Sequence, residues 1–580
     1  MSSNPIFLPK ILTTLGGYTR RQFLSDVIAG VTVGLVALPL AIAFGIASVP
    51  DNVAKEAGVS PPAMGLFTAV IAGFLISALG GTRVAIGGPT GAFVVIIYAI
   101  AMQHGYAGLC VATVLAGVIL VGLGLLRMGG MIKYIPYPVT TGFTSGIAVI
   151  IFMGQVKDLL GLRMGSPPPG FVSKMKAYAV NMHTIEPATA AVGLSCAALV
   201  FLWPRLVTKK IPGAIVALVL ATMADRVLGL GLETIGSRFG HIPTSIPMPN
   251  LAPLLTFDKA RIEELIGPAF TIAMLGGIES LLCAVVADGM LGTRHRSNTE
   301  LIAQGIANIA TPIFGGIPAT GAIARTATNV QAGGRTPIAG IVHALTLLVI
   351  ILAIGRFAEY VPMAALAAVL VVVAYNMSEA HRFIWLLRGP RPDAVVLVAT
   401  FALTVLTDLT VAVSVGLVMA AMLFIKRMAD VTNVSSIQRE MVDPGAEHRP
   451  LASPARGMPG VEVYEINGPF FFGAAYKLRE TLDSIGRRPR VLVLDMPNVS
   501  AIDATGLYVL DELRRKCEKE GVRVILAGVH AQPLFAMTQA GLLDKFGVAN
   551  LAGTLDEALA RLAAVPDGSA PRAADSAPAQ

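Results

Sequence analysis

Charge is scarce in this 580-residue chain: Asp, Glu, Lys and Arg together make up 14% of it, against 54% hydrophobic residues. A soluble protein of this size needs no such apolar excess, so most of the chain is expected inside a lipid bilayer. Cysteine is far scarcer, with four in the whole chain. Cys110, Cys196 and Cys283 fall in apolar runs and Cys517 in a polar C-terminal region, with neither a disulfide framework nor metal-ligand spacing. No metal and no cofactor is therefore expected. The Gly-rich segments lack the Gly-Lys-Ser/Thr ending of a phosphate loop, and no paired nucleophile and base stands out, so no residue is read as catalytic. The formal net charge of +8 gives no nucleic-acid signal, because the basic residues alternate with apolar spans.

Long apolar runs are plentiful. They predict fourteen spans near 27–46, 62–80, 89–102, 107–126, 136–155, 187–203, 211–231, 267–289, 299–314, 320–332, 336–355, 362–378, 393–408 and 410–425. One set of connections holds Arg127, Lys133, Arg205, Lys209, Lys210, Arg294, Arg296, Arg335, Arg382, Arg388, Arg391, Lys426 and Arg427. The opposite set holds Asp51, Glu56, Asp158, Glu186, Glu233, Asp258, Glu263, Glu264, Glu359 and Asp408. The positive-inside rule and an even span count then place both termini in the cytoplasm. The N-terminal stretch carries Lys10, Arg20 and Arg21 without a small-residue cleavage site, so no cleaved signal peptide is expected.

Two stretches are near-copies: Gly87-Gly88-Pro89-Thr90-Gly91-Ala92 and Gly315-Gly316-Ile317-Pro318-Ala319-Thr320-Gly321-Ala322. Each interrupts a hydrophobic region at a matching place, the pattern of an inverted-repeat transporter's binding site. Each reads as the start of a half-helix, since the spans near 89–102 and 320–332 are too short to cross. A helix start leaves backbone N–H groups free and a positive dipole end, which suit an anion. The lead-ins, Arg83 to Gly88 and Phe314 to Ile317, must be buried in protein or line a cavity.

Beyond Lys426 the composition turns polar, first as a linker over 427–457. Val461 to Ile466 alternates as a strand, Ala474 to Ile485 is amphipathic, and Val491 to Asp495 reads as a buried strand. A helix over Ala504 to Glu518, a strand over Val522 to Leu526 and a helical end over Pro533 to Leu562 complete a small α/β domain. The tail over 566–580 has a disordered composition.

These features resemble the SulP family of anion transporters. The resemblance rests on Gly30-Val31-Thr32-Val33-Gly34 with Pro39 and Phe44, on Gly87 to Thr90, on Ile278-Glu279-Ser280-Leu281-Leu282, and on Ala322-Ile323-Ala324-Arg325-Thr326. The tail looks like a STAS domain, with Asp503-Ala504-Thr505-Gly506 at its signature loop. Ala273 to Met290, Gly315 to Val330 and Asn376 to His381 look most like the bacterial DauA-type dicarboxylate transporters. The resemblance implies an α-helical polytopic fold of 7+7 inverted repeats, over 27–231 and 262–426, after a cytoplasmic segment 1–26 and before a STAS domain over 458–565. Spans 1–4 and 8–11 would form a core domain that slides against a gate of spans 5–7 and 12–14, usually in a homodimer. It implies a bacterial inner-membrane protein that carries a small anion by alternating access, with protons or sodium as coupling ion. Succinate-like C4-dicarboxylates with protons are the first expectation, sulfate or bicarbonate the second. A passive anion channel or a STAS-linked sensor is the competing class.

The expected substrate site comprises Phe44, Gly88, Thr90, Gly91, Thr320, Gly321, Ala324 and Arg325. The glycines allow close approach to the backbone, Thr90 and Thr320 add hydroxyls, and Phe44 and Ala324 match family positions at the site. Leu40 and Ala324 are apolar where some relatives are polar, which argues against tight side-chain coordination of a halide. Arg325, a costly cation in a membrane helix, suits a carboxylate or sulfate, or else bonds an acid or a carbonyl of the protein. Glu279 in mid-span is the expected coupling residue, facing Arg325 or a cation, with a sodium site as its rival. Asp503 and Thr505 are regulatory candidates: Thr505 matches a phosphorylated STAS position, and Asp503 reads also as a helix N-cap. An unidentified STAS-binding protein is a further expected partner. His104, His183, His241 and His343 are placed at span ends or loops.

Overall fold

The computed structural model describes residues 7–130, 136–165, 167–168, 170–207, 212–241, 245–258, 261–407, 409–431, 433–436, 458, 460–471, 478 and 489–564. Most of the expected linker, all but one residue of the amphipathic segment Ala474 to Ile485, and the tail lie outside these residues. The chain divides into two compact units, 1–420 and 421–580.

The first unit is helical. After a single turn of helix at Lys10–Thr14, its first long helix, α1 (Arg20–Ser48), starts seven residues before the apolar run because Thr19 and Gln22 form a reciprocal capping box. It is followed by α2 (Pro61–Leu79) and by α3 (Gly91–Leu125), which carries the third and fourth expected spans end to end. Gly105 breaks α3 with φ 66° and ψ −174°, a conformation that a side chain would strain. Then come α4 (Tyr137–Leu160), α5 (Pro187–Leu206) and α6 (Gly213–Leu228). The second half holds α7 (Ile262–Leu291), α8 (Ser297–Ile313), α9 (Ile323–Gln331) and α10 (Pro337–Ile354). It continues with α11 (Met363–Met377), α12 (Ala380–Leu387) and α13 (Arg391–Leu406), and α14 (Leu409–Val431) begins in this unit and runs past its end at residue 420. These helices are consistent with fourteen spans. The amphipathic α12 was not anticipated, and His343 lies in the second turn of α10, fully buried, rather than at a span end.

The helices pack in two sets. In one, α8 lies along α3, α10 along α1 and α2, and α7 along α3 and α9; in the other, α4 lies between α11 and α13, and α11 runs along α5. Small residues permit close crossings. A Cβ at Gly117 of α3 would stand 2.6 Å from the Gly305 carbonyl oxygen of α8, and one at Gly305 would stand 2.5 Å from that of Gly117. The backbones touch, as packing in lipid favours when helices gain little from hydrophobic burial against each other.

The second unit carries the α/β fold expected of its sequence. Strands β3 (Asn433–Ser436), β4 (Val461–Asn467), β5 (Val491–Asn498), β6 (Arg523–Ala527) and β7 (Leu551–Ala552) pair in that order, β3 antiparallel and the rest parallel. Helix α15 (Ala504–Lys519) follows β5, and α16 (Ala531–Gln539), α17 (Leu542–Phe546) and α18 (Leu555–Ala563) complete the domain.

Candidate functional site

The two near-copied stretches meet. Gly87–Gly88 (β1) pairs antiparallel with Thr320–Gly321 (β2), Gly87 opposite Gly321 and Gly88 opposite Thr320. The Ala322 N–H extends the ladder to the Ile86 carbonyl at 2.7 Å. Helix α3 starts at Gly91 behind its N-cap Thr90, and α9 starts at Ile323 behind its N-cap Ala322. Neither N-cap side chain bonds its own helix, so both positive dipole ends lie uncapped beside one short ladder. Pro89, expected in the first helical turn, instead precedes the cap. Thr320, expected within the tenth span, lies in β2.

Bare backbone in a bilayer needs partners, and buried side chains supply them. Asn308 of α8 accepts from the Ala319 N–H at 2.9 Å and donates to its carbonyl at 2.9 Å. Thr68 of α2 accepts from the Ile317 N–H at 2.7 Å. Ser280 of α7 accepts from the Gly321 N–H at 3.1 Å. The first lead-in is held from α9, where Thr326 accepts from the Ile86 N–H at 2.9 Å and Asn329 donates to the Val84 carbonyl at 3.0 Å. The lead-in to α3 is therefore seated from the second half of the chain, and the lead-in to α9 by Thr68 of the first half together with Asn308 and Ser280 of its own. None of these five supports stands out in the sequence; a polar residue on a buried helix face is the one signal that marks them.

Arg325 is 2% exposed and lies in the first turn of α9, nearer the ladder than a span starting at Thr320 would place it. Its Nη2 donates to the Pro89 carbonyl, and Nη1 has no partner among the described residues. A Cβ on Gly88, whose φ is 148°, would stand 2.6 Å from Nη1. Glu279 does not face Arg325: among the described residues no ion pair joins them. The Thr90 hydroxyl instead donates to Glu279 Oε2 at 3.2 Å, which leaves the α3 N-terminus without its side-chain cap. The Thr320 hydroxyl is committed to α7, bonding the Gly276 carbonyl at 3.0 Å and Ser280 Oγ at 2.8 Å.

Ala324 is exposed beside the uncapped end of α9, whereas Phe44 is buried in the cluster that holds Met64 and Phe93. Gly91 lies against the other helix set: a Cβ there would stand 2.7 Å from Met377 Sδ of α11 and 3.1 Å from Ile151 of α4. Gly321 lies against Ser280 and Cys283 of α7. In the second unit Asp503 caps α15, accepting from the Gly506 N–H at 2.7 Å, with Thr505 half-buried in the first turn. Among the described residues no group of three or more His, Cys, Asp or Glu is placed to hold a metal ion.

Known proteins share this architecture. The sulfate permease family model matches residues 23–400 and the STAS domain model residues 453–558. A putative sulfate transporter of Bacillus subtilis, YvdB, is 41% identical over 92% of this chain and 96% of its own length. The bicarbonate transporter BicA of Picosynechococcus is 31% identical over 88% of this chain and 90% of its own. The solved transmembrane domain of a cyanobacterial BicA matches with TM-score 0.60 at 31% identity, covering 70% of this chain and 98% of that one. The overall structure of SLC26A9 matches with TM-score 0.82 at 19% identity over 96% and 92% of the two chains, a likeness of fold. From its sequence, its paired half-helices and these matches, the chain belongs to the sulfate permease (SulP) family of multi-pass membrane transporters, with a C-terminal STAS domain.

Proposed function

We propose that this chain is a secondary active anion transporter that binds its substrate at the paired N-termini of α3 and α9 and moves it by alternating access. One observation carries the reading: the β1–β2 ladder brings two uncapped helix starts together beside a buried guanidinium with a free donor. Each start supplies about half a positive charge, and Arg325 adds a forked donor. The helix packing supports alternating access, since the site lies on one set and Gly91 lies against Met377 and Ile151 of the other.

A compact oxyanion, sulfate or bicarbonate, is the substrate class best supported. Among the described residues Arg325 is the one buried Arg or Lys, enough for one anionic head, and the relatives named above are a bicarbonate transporter and one named a putative sulfate transporter. A C4-dicarboxylate is the second reading, favoured by the likeness of Ala273 to Met290 and Asn376 to His381 to DauA-type transporters. Glu279 is the coupling residue of the proposal, taking a proton or helping to hold sodium while it bonds Thr90. The protein acts in the bacterial inner membrane as a homodimer, with both termini in the cytoplasm. Asp503 and Thr505 mark the STAS loop where a partner or a phosphate would act.

Uptake of labelled sulfate, bicarbonate and succinate into proteoliposomes, under imposed proton and sodium gradients, tests this. Uphill accumulation of sulfate or bicarbonate supports the reading, and accumulation of succinate alone moves the substrate to the second. Anion leak without accumulation in any condition overturns active transport in favour of a channel.

A further inference from the structure

Helix α12 presents a face that nothing in the described chain covers. Its inner side is anchored: the Phe383 ring meets Phe401 of α13 edge-on at 5.2 Å between centroids, and Leu386 is buried. Its outer side holds Ile384, Trp385 and Leu387, 51%, 64% and 43% exposed, among exposed His381 and Arg388. At eight residues α12 is about 12 Å long, too short to cross a bilayer. It follows α11 after only Ser378 and Glu379, so it begins where a membrane span ends. Glu379 turns the chain there in the left-handed region, φ 40° and ψ 40°, and its carboxylate bonds Arg382 at 2.6 Å. Arg388 and Arg391, just beyond, are exposed and make no ion pair among the described residues.

We propose that α12 is an interfacial helix that binds anionic lipid headgroups, and that this contact anchors the pivot of the second helix set. Tryptophan with arginine at a span end is the composition of a membrane interface, where the ring enters the acyl boundary and the cation meets phosphate. The two free arginines select a negative headgroup. The same segment reaches the substrate site. Met377, two residues before the left-handed turn, is the closest neighbour of Gly91, and Ser145 of α4 holds the Ser378 carbonyl at 2.7 Å. A lipid clamp on α12 therefore fixes the point on which the α3 N-terminus slides. The lipid contact stands apart from the anion reading; its effect on transport rests on it.

The chain has two tryptophans, so Trp203→Phe leaves Trp385 as the single fluorophore. This variant is reconstituted in phosphatidylcholine vesicles holding equal fractions of either brominated phosphatidylglycerol or brominated phosphatidylcholine. Each arginine near the surface is expected to enrich the anionic lipid about fivefold, so the glycerol lipid quenches Trp385 several-fold more. Arg388→Gln with Arg391→Gln abolishes that preference, while the double Lys variant keeps it. Equal quenching by both lipids, or a preference that survives the Gln pair, overturns the headgroup contact. Absence of quenching by either lipid shows α12 covered by protein and overturns it as well. Anion uptake that rises with phosphatidylglycerol in the parent but not in the Gln pair supports the anchoring role. Uptake indifferent to phosphatidylglycerol in the parent refutes that role and leaves the quenching result to stand alone.

Discussion

Gly88 and Arg325 are fitted to each other. The guanidinium occupies the space where a Cβ at Gly88 would lie, 2.6 Å from Nη1, and its other arm holds the carbonyl of the next residue, Pro89. Arg325 thus ties the two half-helices together while keeping one donor free. Its charge has no carboxylate to neutralise it among the described residues, which leaves it for an anion.

Gly88→Ala is expected to displace Arg325 and to strain the backbone at φ 148°, costing about 1 kcal/mol or more. The variant should reach the membrane yet lose at least about tenfold in uptake, the effect of about 1.4 kcal/mol at the site. Uptake per folded molecule is the readout.

Arg325→Lys keeps the charge but replaces a fork by a single ammonium, which cannot hold the Pro89 carbonyl and an anion in the same geometry. Uptake should fall mainly through a raised KM. Arg325→Gln should fall further, and the ratio between the two measures the charge.

Asn308→Ala strips partners from both the N–H and the carbonyl of Ala319 in the lead-in to α9. The loss should be about 2–4 kcal/mol, because two buried backbone groups are left unpaired. Thermal unfolding in detergent measures it, and an unchanged midpoint would show the lead-in held by other means.

Glu279→Gln keeps a hydrogen-bonding partner for Thr90 but cannot ionise. Uptake should persist without responding to the imposed proton or sodium gradient. Equal gradient dependence in both proteins would remove Glu279 from coupling.

Asp495, on β5 of the STAS domain, is buried, and burial with Glu465 and Asp556 nearby raises its carboxyl from 3.8 to about 6. The folded state thus holds the proton more tightly than the unfolded chain. Its stabilising effect is full below pH 3.8 and is lost as the pH rises through about 6. Asp495→Asn should slow hydrogen exchange in β5 at pH 7 by an amount worth about 1–2 kcal/mol, and should match the parent at pH 3.5–4.

Much of this was legible in the sequence, for physical reasons that differ by element. Apolar runs of span length fix where helices lie, and the gap between the spans near 89–102 and 107–126 became the Gly105 kink. The likeness of the two Gly-rich stretches announced a pair, and they pair as β1 and β2. What the sequence hid is mutual support across long separations. Asn329 and Thr326 serve a backbone about 240 residues away, and local periodicity carries no trace of that. Of the two partners that the sequence offered Arg325, an acid such as Glu279 or a carbonyl, the ladder selects the Pro89 carbonyl. His343 was misplaced because one histidine barely lowers the apolarity of α10. Helix α12 was hidden for a similar reason: Asn376 to His381 read as a motif, and its left-handed turn at Glu379 has no composition signal.

The most direct test of the account is chemical protection at the site. Ala324 is exposed at the start of α9, while the four native cysteines are buried, so Ala324→Cys offers one reactive thiol. The rate of its modification by an anionic methanethiosulfonate is measured in reconstituted protein with and without each anion. The transported anion is expected to slow the reaction, and an untransported one to leave it unchanged. A rate indifferent to an anion that the same variant still transports would place the binding site elsewhere.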